Sequence, residues 1–176
     1  MRMLALAVLA LLLASCARQS TAEQLVNRLY ENDPARKNIG REISGYSFTG
    51  IAGENPSWRI IGKPVIYETF FVDCPGCVEM IQHYTQLYRE HPGEFEVVLL
   101  DIKESDSEEY ILSLKERLDA PDWLWVPYSA EVRRFMDDFK VLAPDTTYLV
   151  DREREVVYAD SLLANERVTE ALLKVI

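Results

Sequence analysis

From residue 60 onward, the hydrophobic positions form two patterns that alternate along the chain. Continuous apolar runs, typical of strands buried on both faces, are separated by stretches in which apolar residues recur three and four positions apart, as on one helix face. The predicted elements are, in order, the strand Pro64–Val72, a helix that starts near Cys77 and ends before His91, the strand Phe95–Ile102, the helices Ser107–Leu118 and Glu131–Phe139, a hairpin of Thr147–Val150 with Val156–Ala159, and a helix capped by Asn165.

This order of elements predicts an α/β fold with a central mixed sheet flanked by helices. Strands joined through a helix are expected to pair in parallel, whereas the late hairpin must be antiparallel. Tyr110 is expected to face inward from its helix. Trp123 and Trp125 alternate like a half-buried strand or loop. They are expected to pack in the core or on the surface, and the alternative is that they line a substrate groove.

The segment before the predicted sheet is less regular. Ser20–Glu23 resembles a helix-capping box, and Asp33–Pro34 ends the short amphipathic helix that follows. From Gly40 to Trp58 a loose strand-like pattern is punctuated by glycines, which fits a hairpin.

The first residues are typical of an export signal rather than of the fold. Arg2 precedes the apolar run Met3–Ala14, which is shorter than the ~20 residues that span a bilayer. Leu13–Cys16 resembles the bacterial lipobox, which implies that residues 1–15 are removed and that Cys16 is lipidated. For a Gram-negative protein, resemblance to the known sorting rules implies that Ala17 after this cysteine directs it to the outer rather than the inner membrane, facing the periplasm. The alternative is an ordinary signal with a chance cysteine at its border.

Composition narrows the range of functions. The chain has 176 residues, a net charge of −10, a pI near 4.7 and three cysteines. This length suits one domain, and the acidic balance disfavours binding to nucleic acid. Three cysteines are too few for a disulfide scaffold, but export would place them where disulfides persist.

Cys74 and Cys77 form a Cys-x-x-Cys motif at the end of a predicted strand and the start of a predicted helix. Free N–H groups and the helix dipole stabilise a thiolate at a helix N-terminus. We therefore expect an exposed, nucleophilic Cys74 and a deeper Cys77 that resolves mixed disulfides.

Three other interpretations of this motif remain open. A structural disulfide is possible in an exported protein, although so short a loop gains little stability. A zinc or copper site would have only His83 and His91 as additional imidazole ligands. A peroxidatic site would lack a nearby arginine within the motif.

The sequence of strand, Cys-x-x-Cys, helix and strand, with Pro144 before a terminal hairpin and helix, resembles the thioredoxin superfamily over about residues 39–176. It is most similar to the exported TlpA/ResA-like branch, and Gly40–Gly53 resembles the N-terminal hairpin of that branch. Ala143–Asp151 resembles the cis-proline segment of that branch. The resemblance implies that Pro144 is cis and faces the cysteines, and that backbone at Ala143 binds substrate as an added strand. The alternative for Pro144 is a plain turn.

The resemblance also assigns a role to Glu68, the charge within the first predicted strand. It implies a buried acid that exchanges a proton with Cys77, whereas the alternative is a solvated, edge-facing side chain. Asp73 departs from the family pattern, and its charge is expected to raise the pKa of Cys74.

These patterns together predict a lipid-anchored thiol–disulfide oxidoreductase of the bacterial envelope, and the family resemblance implies that it reduces protein disulfides. Its expected partners are protein thiol or disulfide substrates and a membrane electron donor, and we expect no metal and no cofactor. The predicted organisation is a signal (1–15), a tether with a short helix (16–38) and a thioredoxin-like domain (39–176). The alternative is a redox-inactive binding module with a structural disulfide.

Overall fold

The computed structural model of the chain describes residues 25, 27–51, 53, 60–161 and 165–176. The predicted signal, Cys16 and the capping box lie outside the described residues. Two compact units are present, Met1–Asp33 and Pro34–Ile176. In the first, Leu25 and residues 27–31 are helical, in agreement with the predicted short helix. No helix in the described part of the chain has the length and apolar composition needed to cross a membrane.

The second unit follows the predicted order of strands and helices, with one additional short strand. A 3-10 helix at Pro34–Asn38 precedes five strands and four α-helices in the described residues. In chain order they are β1 (Val65–Phe70), α1 (Pro75–Glu90), β2 (Glu96–Asp101), α2 (Glu108–Leu118), β3 (Leu124–Val126), α3 (Ala130–Phe139), β4 (Thr147–Val150), β5 (Val156–Asp160) and α4 (Asn165–Leu172).

The five strands form one mixed sheet in the order β3-β2-β1-β4-β5. β1 pairs in parallel with β2, which pairs in parallel with β3. β4 runs antiparallel to both β1 and β5. The predicted α/β class and both predicted kinds of strand pairing are confirmed. Because β1 is the central strand, every one of its side chains is buried.

The two faces of β1 serve different purposes. Tyr67 points to the face covered by α3, where its ring lies 6.0 Å from that of Phe135. Phe135 also contacts the rings of Phe48 and Tyr148 at 5.9 and 5.8 Å. Glu68 points to the opposite face and meets α1. The α3 face is therefore an aromatic core, and the α1 face carries the polar chemistry.

Two predictions about the fold were wrong, and the predicted order lacked one strand. Between residues 40 and 51 there is one antiparallel bridge, Glu42–Glu155, and no strand, so the predicted hairpin is not formed there. Its remaining positions, 52 and 54–58, lie outside the described residues. Tyr110 is 60% exposed because it lies on the outer side of α2, whereas Ile111 and Leu114 face the core. The prediction that Trp123 and Trp125 lie in a strand or loop and pack in the core is confirmed, since β3 lies there and both tryptophans are buried. The predicted order of elements did not include this strand.

We expect Phe135→Ala to destabilise the protein by about 3–5 kcal/mol, because it would leave a cavity among four fully or nearly buried rings. Urea unfolding with the disulfide intact measures this change. Tyr110→Ala is the matched control, and its exposed ring should cost no more than ~0.5 kcal/mol. Equal losses for the two variants would contradict the assignment of Phe135 to the centre of this core.

Candidate active site

A disulfide joins Cys74 to Cys77 at the first turn of α1, with an S–S distance of 2.03 Å. Cys74 is the N-cap residue of this helix, and its Sγ accepts a hydrogen bond from the backbone N–H of Cys77 at 3.1 Å. Pro75 follows, where its fixed φ and missing N–H suit the first helical turn. The predicted location of the pair at a helix N-terminus is confirmed.

Two anchors hold the loop that leads into Cys74. The N–H of Cys74 bonds to the carbonyl of Phe71 at 3.1 Å, and the N–H of Val72 donates to Asp106 Oδ2 at 2.7 Å. Lys103 Nζ lies 3.0 Å from Asp106 and 3.7 Å from Asp73. The lysine therefore offsets part of the Asp73 charge, which is also well solvated. The expected effect of Asp73 on the pKa of Cys74 stays a prediction.

The cysteine pair is more deeply buried than expected. Cys74 is 6% exposed and Cys77 is 1% exposed, so the expectation of an exposed Cys74 was wrong. Cys74 is buried by contacts within the motif, because its Sγ lies at the N-terminus of α1, where it is bonded to Cys77 Sγ and accepts the Cys77 N–H. The expected ranking holds, since Cys74 is the more accessible of the two cysteines.

Glu68 is fully buried beneath this helix, at 0% exposure. One of its oxygens, Oε2, accepts hydrogen bonds from Tyr84 Oη at 2.9 Å and from Thr147 Oγ1 at 2.6 Å. Desolvation raises the pKa of Glu68 well above its usual value, and the nearby Asp145 carboxyl raises it further. The burial supports the first of the two interpretations of Glu68, a buried acid, over the solvated one.

Asp145 is the site residue that sequence reasoning missed. Its carboxyl group lies within hydrogen-bonding reach of Glu68, although the two residues are distant in the chain. Burial raises the pKa of Asp145, while the hydrogen bond with Glu68 lowers it. The only signal in the sequence was an acid directly after Pro144, and this signal could not show which way the side chain turns.

Thr69 connects the proline loop to the cysteines. Its carbonyl accepts the N–H of Asp145 at 2.7 Å and lies 3.9 Å from Cys77 Sγ. Its Oγ1 accepts the N–H of Thr146 at 3.0 Å. The structure therefore brings the loop at Ala143–Asp145 to the strand that carries Glu68, beside Cys77. The carbonyl of Ala143 is bonded within the loop, to Thr146 Oγ1 at 2.9 Å.

The peptide bond before Pro144 is trans, so the expected cis bond was wrong. The chain instead reverses at Asp145, which adopts a left-handed backbone with φ of 62°. Aspartate tolerates this conformation better than most residues. The hydrogen bond from its N–H to Thr69 holds the turn in place.

Asp101 is a further buried acid at the same end of the sheet, next to Phe70 in the strand register. Its Oδ1 accepts the N–H of Lys103 at 3.0 Å, but its buried Oδ2 meets no hydrogen-bond donor among the described residues. Desolvation raises the pKa of Asp101 to about 6. Within the described part of the chain, no three His, Cys, Asp or Glu side chains are grouped as a metal-ion site requires.

No protein-family model and no curated protein matches this chain. Solved structures do match. A thioredoxin-like protein from Aeropyrum pernix is 21% identical, with a TM-score of 0.64 over 92% of this chain and 99% of that one. The thioredoxin domain of a Bacteroides vulgatus thiol-disulfide oxidoreductase is 16% identical, with a TM-score of 0.65 over 78% and 98% of the chains.

A thiol:disulfide interchange protein of the thioredoxin family from Chlorobium tepidum is similar to the same extent. It is 14% identical, with a TM-score of 0.65 over 77% of this chain and 97% of that one. All three of these neighbours are thioredoxin-like proteins, and two of them are named for thiol–disulfide chemistry. At these identities the likeness establishes the fold, and the chain has a thioredoxin-like fold.

We expect Asp101→Asn to flatten the pH dependence of stability between about pH 4 and 6. The folded pKa lies above the unfolded value of ~3.9, so the folded state binds more protons in this window. The contribution of Asp101 is therefore fully present below about pH 4 and is lost as the pH rises through about 6. The wild type should lose up to ~1.4 kcal/mol per pH unit relative to the variant.

Urea unfolding at a series of pH values measures this difference. Asp137→Asn, on the exposed side of α3, is the control and should keep the wild-type slope. Parallel curves for the wild type and Asp101→Asn would show that Asp101 does not titrate in this window.

Proposed function

We propose that this protein is a thiol–disulfide oxidoreductase that reduces protein disulfides in the bacterial envelope. The observation that carries the proposal is the Cys74–Cys77 disulfide at the N-terminus of α1, with the buried Glu68 beneath the same helix. A disulfide with only a structural purpose needs neither a helix N-terminus nor an adjacent acid with a raised pKa.

In the first step the Cys74 thiolate attacks one sulfur of the substrate disulfide. A mixed disulfide forms, the substrate S–S bond breaks, and the released substrate thiolate takes a proton from solvent. The N-terminus of α1 favours the thiolate form of Cys74, because the Cys77 N–H donates a hydrogen bond to its sulfur and the helix dipole is positive there.

In the second step Cys77 resolves the mixed disulfide. Its thiol gives a proton to the Glu68 carboxylate, and the Cys77 thiolate attacks Cys74 Sγ. The Cys74–Cys77 disulfide forms, and the second substrate sulfur leaves as a thiolate. Two electrons have passed to the substrate, and a dithiol electron donor at the membrane must return them before the next turnover.

The loop at Ala143 and Pro144 serves as the substrate-binding loop in this proposal. Its bonds to Thr69 hold it beside Cys77, where a substrate chain attached to Cys74 must lie. Because the Ala143 carbonyl is bonded within the loop, pairing with an extended substrate falls to the other backbone groups of the loop.

We further propose that Cys16 carries lipid and holds the protein at the outer membrane, facing the periplasm. The support is the lipobox-like Leu13–Cys16 and the export signal before it. Thioredoxin chemistry at this location would act on exported proteins, in which disulfides persist.

The alternative function is a redox-inactive binding module with a structural disulfide. One observation favours it, since Cys74 is only 6% exposed. An active enzyme must present this sulfur to a substrate, whereas a structural disulfide need not.

We expect the full-length protein in detergent to catalyse insulin reduction by dithiothreitol. Cys74→Ser should lower the rate to the uncatalysed background, because the freed Cys77 is only 1% exposed and is a poor nucleophile towards a substrate disulfide. Cys77→Ala should accumulate that mixed disulfide, visible on a non-reducing gel. Cys16→Ser is the control cysteine variant and should keep the wild-type rate. Insulin reduction that persists in Cys74→Ser, or a wild-type protein that does not accelerate insulin reduction, would favour the binding module.

We expect the protein to take up labelled palmitate when it is expressed in a Gram-negative host and to sediment with outer-membrane vesicles on a sucrose gradient. Cys16→Ser should take up no label, because the acyl chains need that residue. Cys74→Ser is the control and should be labelled like the wild type. Equal labelling of the wild type and Cys16→Ser would contradict the anchor.

A further inference from the structure

Glu68 and Asp145 each have one buried oxygen with no donor. Glu68 Oε1 and Asp145 Oδ1 each meet no hydrogen-bond donor among the described residues, although both atoms are buried. The other Glu68 oxygen, Oε2, is already bonded to Tyr84 and Thr147. The two carboxyl groups are nonetheless within hydrogen-bonding reach of each other. Two buried acceptors in contact repel each other unless one carries a proton.

We propose that Glu68 and Asp145 share one proton as a carboxylic acid–carboxylate pair, and that Asp145 passes protons between Glu68 and solvent during disulfide exchange. The second clause rests on the proposed function. Asp145 is then a positioning residue, which acts on the sulfur chemistry only through Glu68. One shared proton gives this pair of buried carboxyl groups the hydrogen-bond donor that neither has when both are ionised.

The groups that surround the pair cannot replace this proton. The negative charge of Glu79, on α1, raises the pKa of Asp145. From the same helix Tyr84 faces Glu68, and Thr147 of β4 faces it from the sheet. Behind Tyr84 lies Tyr158 of β5, whose Oη bonds to the buried Asp160. Since these groups are neutral or negative, none offsets a second charge on the pair.

Because the two acids are unequally buried, the shared proton can move towards solvent in only one direction. Glu68 is fully buried, whereas Asp145 is only partly buried and lies in the loop before β4. When the Cys77 thiol gives a proton to Glu68, the proton already shared leaves through Asp145. One proton enters as one leaves, so the pair has a charge of −1 before and after the step.

Because its total charge stays constant, the Glu68–Asp145 pair has a physical advantage over a single buried acid. A lone Glu68 would have to gain and lose a full charge in a site from which water is excluded, where an unpaired charge is costly. The pair spreads one charge over two carboxyl groups, and the partly exposed Asp145 retains some hydration.

The pair can be tested without any enzyme assay, by carboxyl ¹³C NMR of the oxidised full-length chain in detergent. Glu68 is assigned by the resonance that is missing from Glu68→Gln. In the wild type the Glu68 resonance should shift in two steps with pH, as expected of coupled acids. In Asp145→Asn it should titrate in one step, at least about one pH unit lower, since the neighbouring charge is gone.

Asparagine suits this test because it also adopts the left-handed backbone of Asp145. Glu79→Gln is the matched control, since it removes a charge near Asp145 but leaves the pair, and the two-step curve should remain. A single-step curve in the wild type, or an unchanged Glu68 titration in Asp145→Asn, would overturn the shared proton.

The proton path is tested by stopped-flow measurement of how fast Cys77 releases substrate from the mixed disulfide. Asp145→Asn should slow this release by about tenfold or more at neutral pH and shift its pH profile, whereas Glu79→Gln should not. An unchanged rate and profile would overturn the path. Failure of the proposed function would be recognised separately, by insulin reduction that does not depend on Cys74, and would leave the NMR result unaffected.

Discussion

The structure depends on burying the carboxyl group of Glu68 in the central strand of a sheet. A carboxyl group taken out of water is costly unless hydrogen bonds replace its hydration. Tyr84 supplies one such bond from α1, and Thr147 supplies another from β4. These two bonds orient the helix that carries the cysteines and the antiparallel neighbour of β1 around one buried group.

The cysteine pair follows from the same arrangement. β1 ends at Phe70, a short loop turns the chain, and α1 begins directly over the strand, with Cys74 as its N-cap. Asp106 and Thr69 hold the two loops that flank the disulfide. Near this end of β1, Glu68, Asp101 and Asp145 each have a buried oxygen that no donor group of the described residues contacts. Such local exceptions within an otherwise consistent fold are typical of functional sites.

Periodicity predicted most of the elements because it reports how each segment is buried. The apolar runs became β1 and β2, and the helical patterns became α1 to α4 with shifts of one or two residues at their starts. The failures have specific causes. β3 has three residues, too few to show a period. The glycines of residues 40–53 indicated turns but could not show whether the segments between them pair. Tyr110 was assigned to the core because periodicity alone cannot tell a wide apolar face from a narrow one.

The sequence by itself determined the class of fold, the order of strands and helices, and the position of Cys74 and Cys77 at a strand–helix junction. These features follow from local rules of burial period, capping and spacing. Only the tertiary structure decided that Glu68 is buried, that Asp145 lies against it, that the bond before Pro144 is trans, and that Cys74 is nearly covered. Each of these depends on segments distant in the chain that meet across the sheet, where desolvation and hydrogen bonding are set by neighbours that no local pattern records.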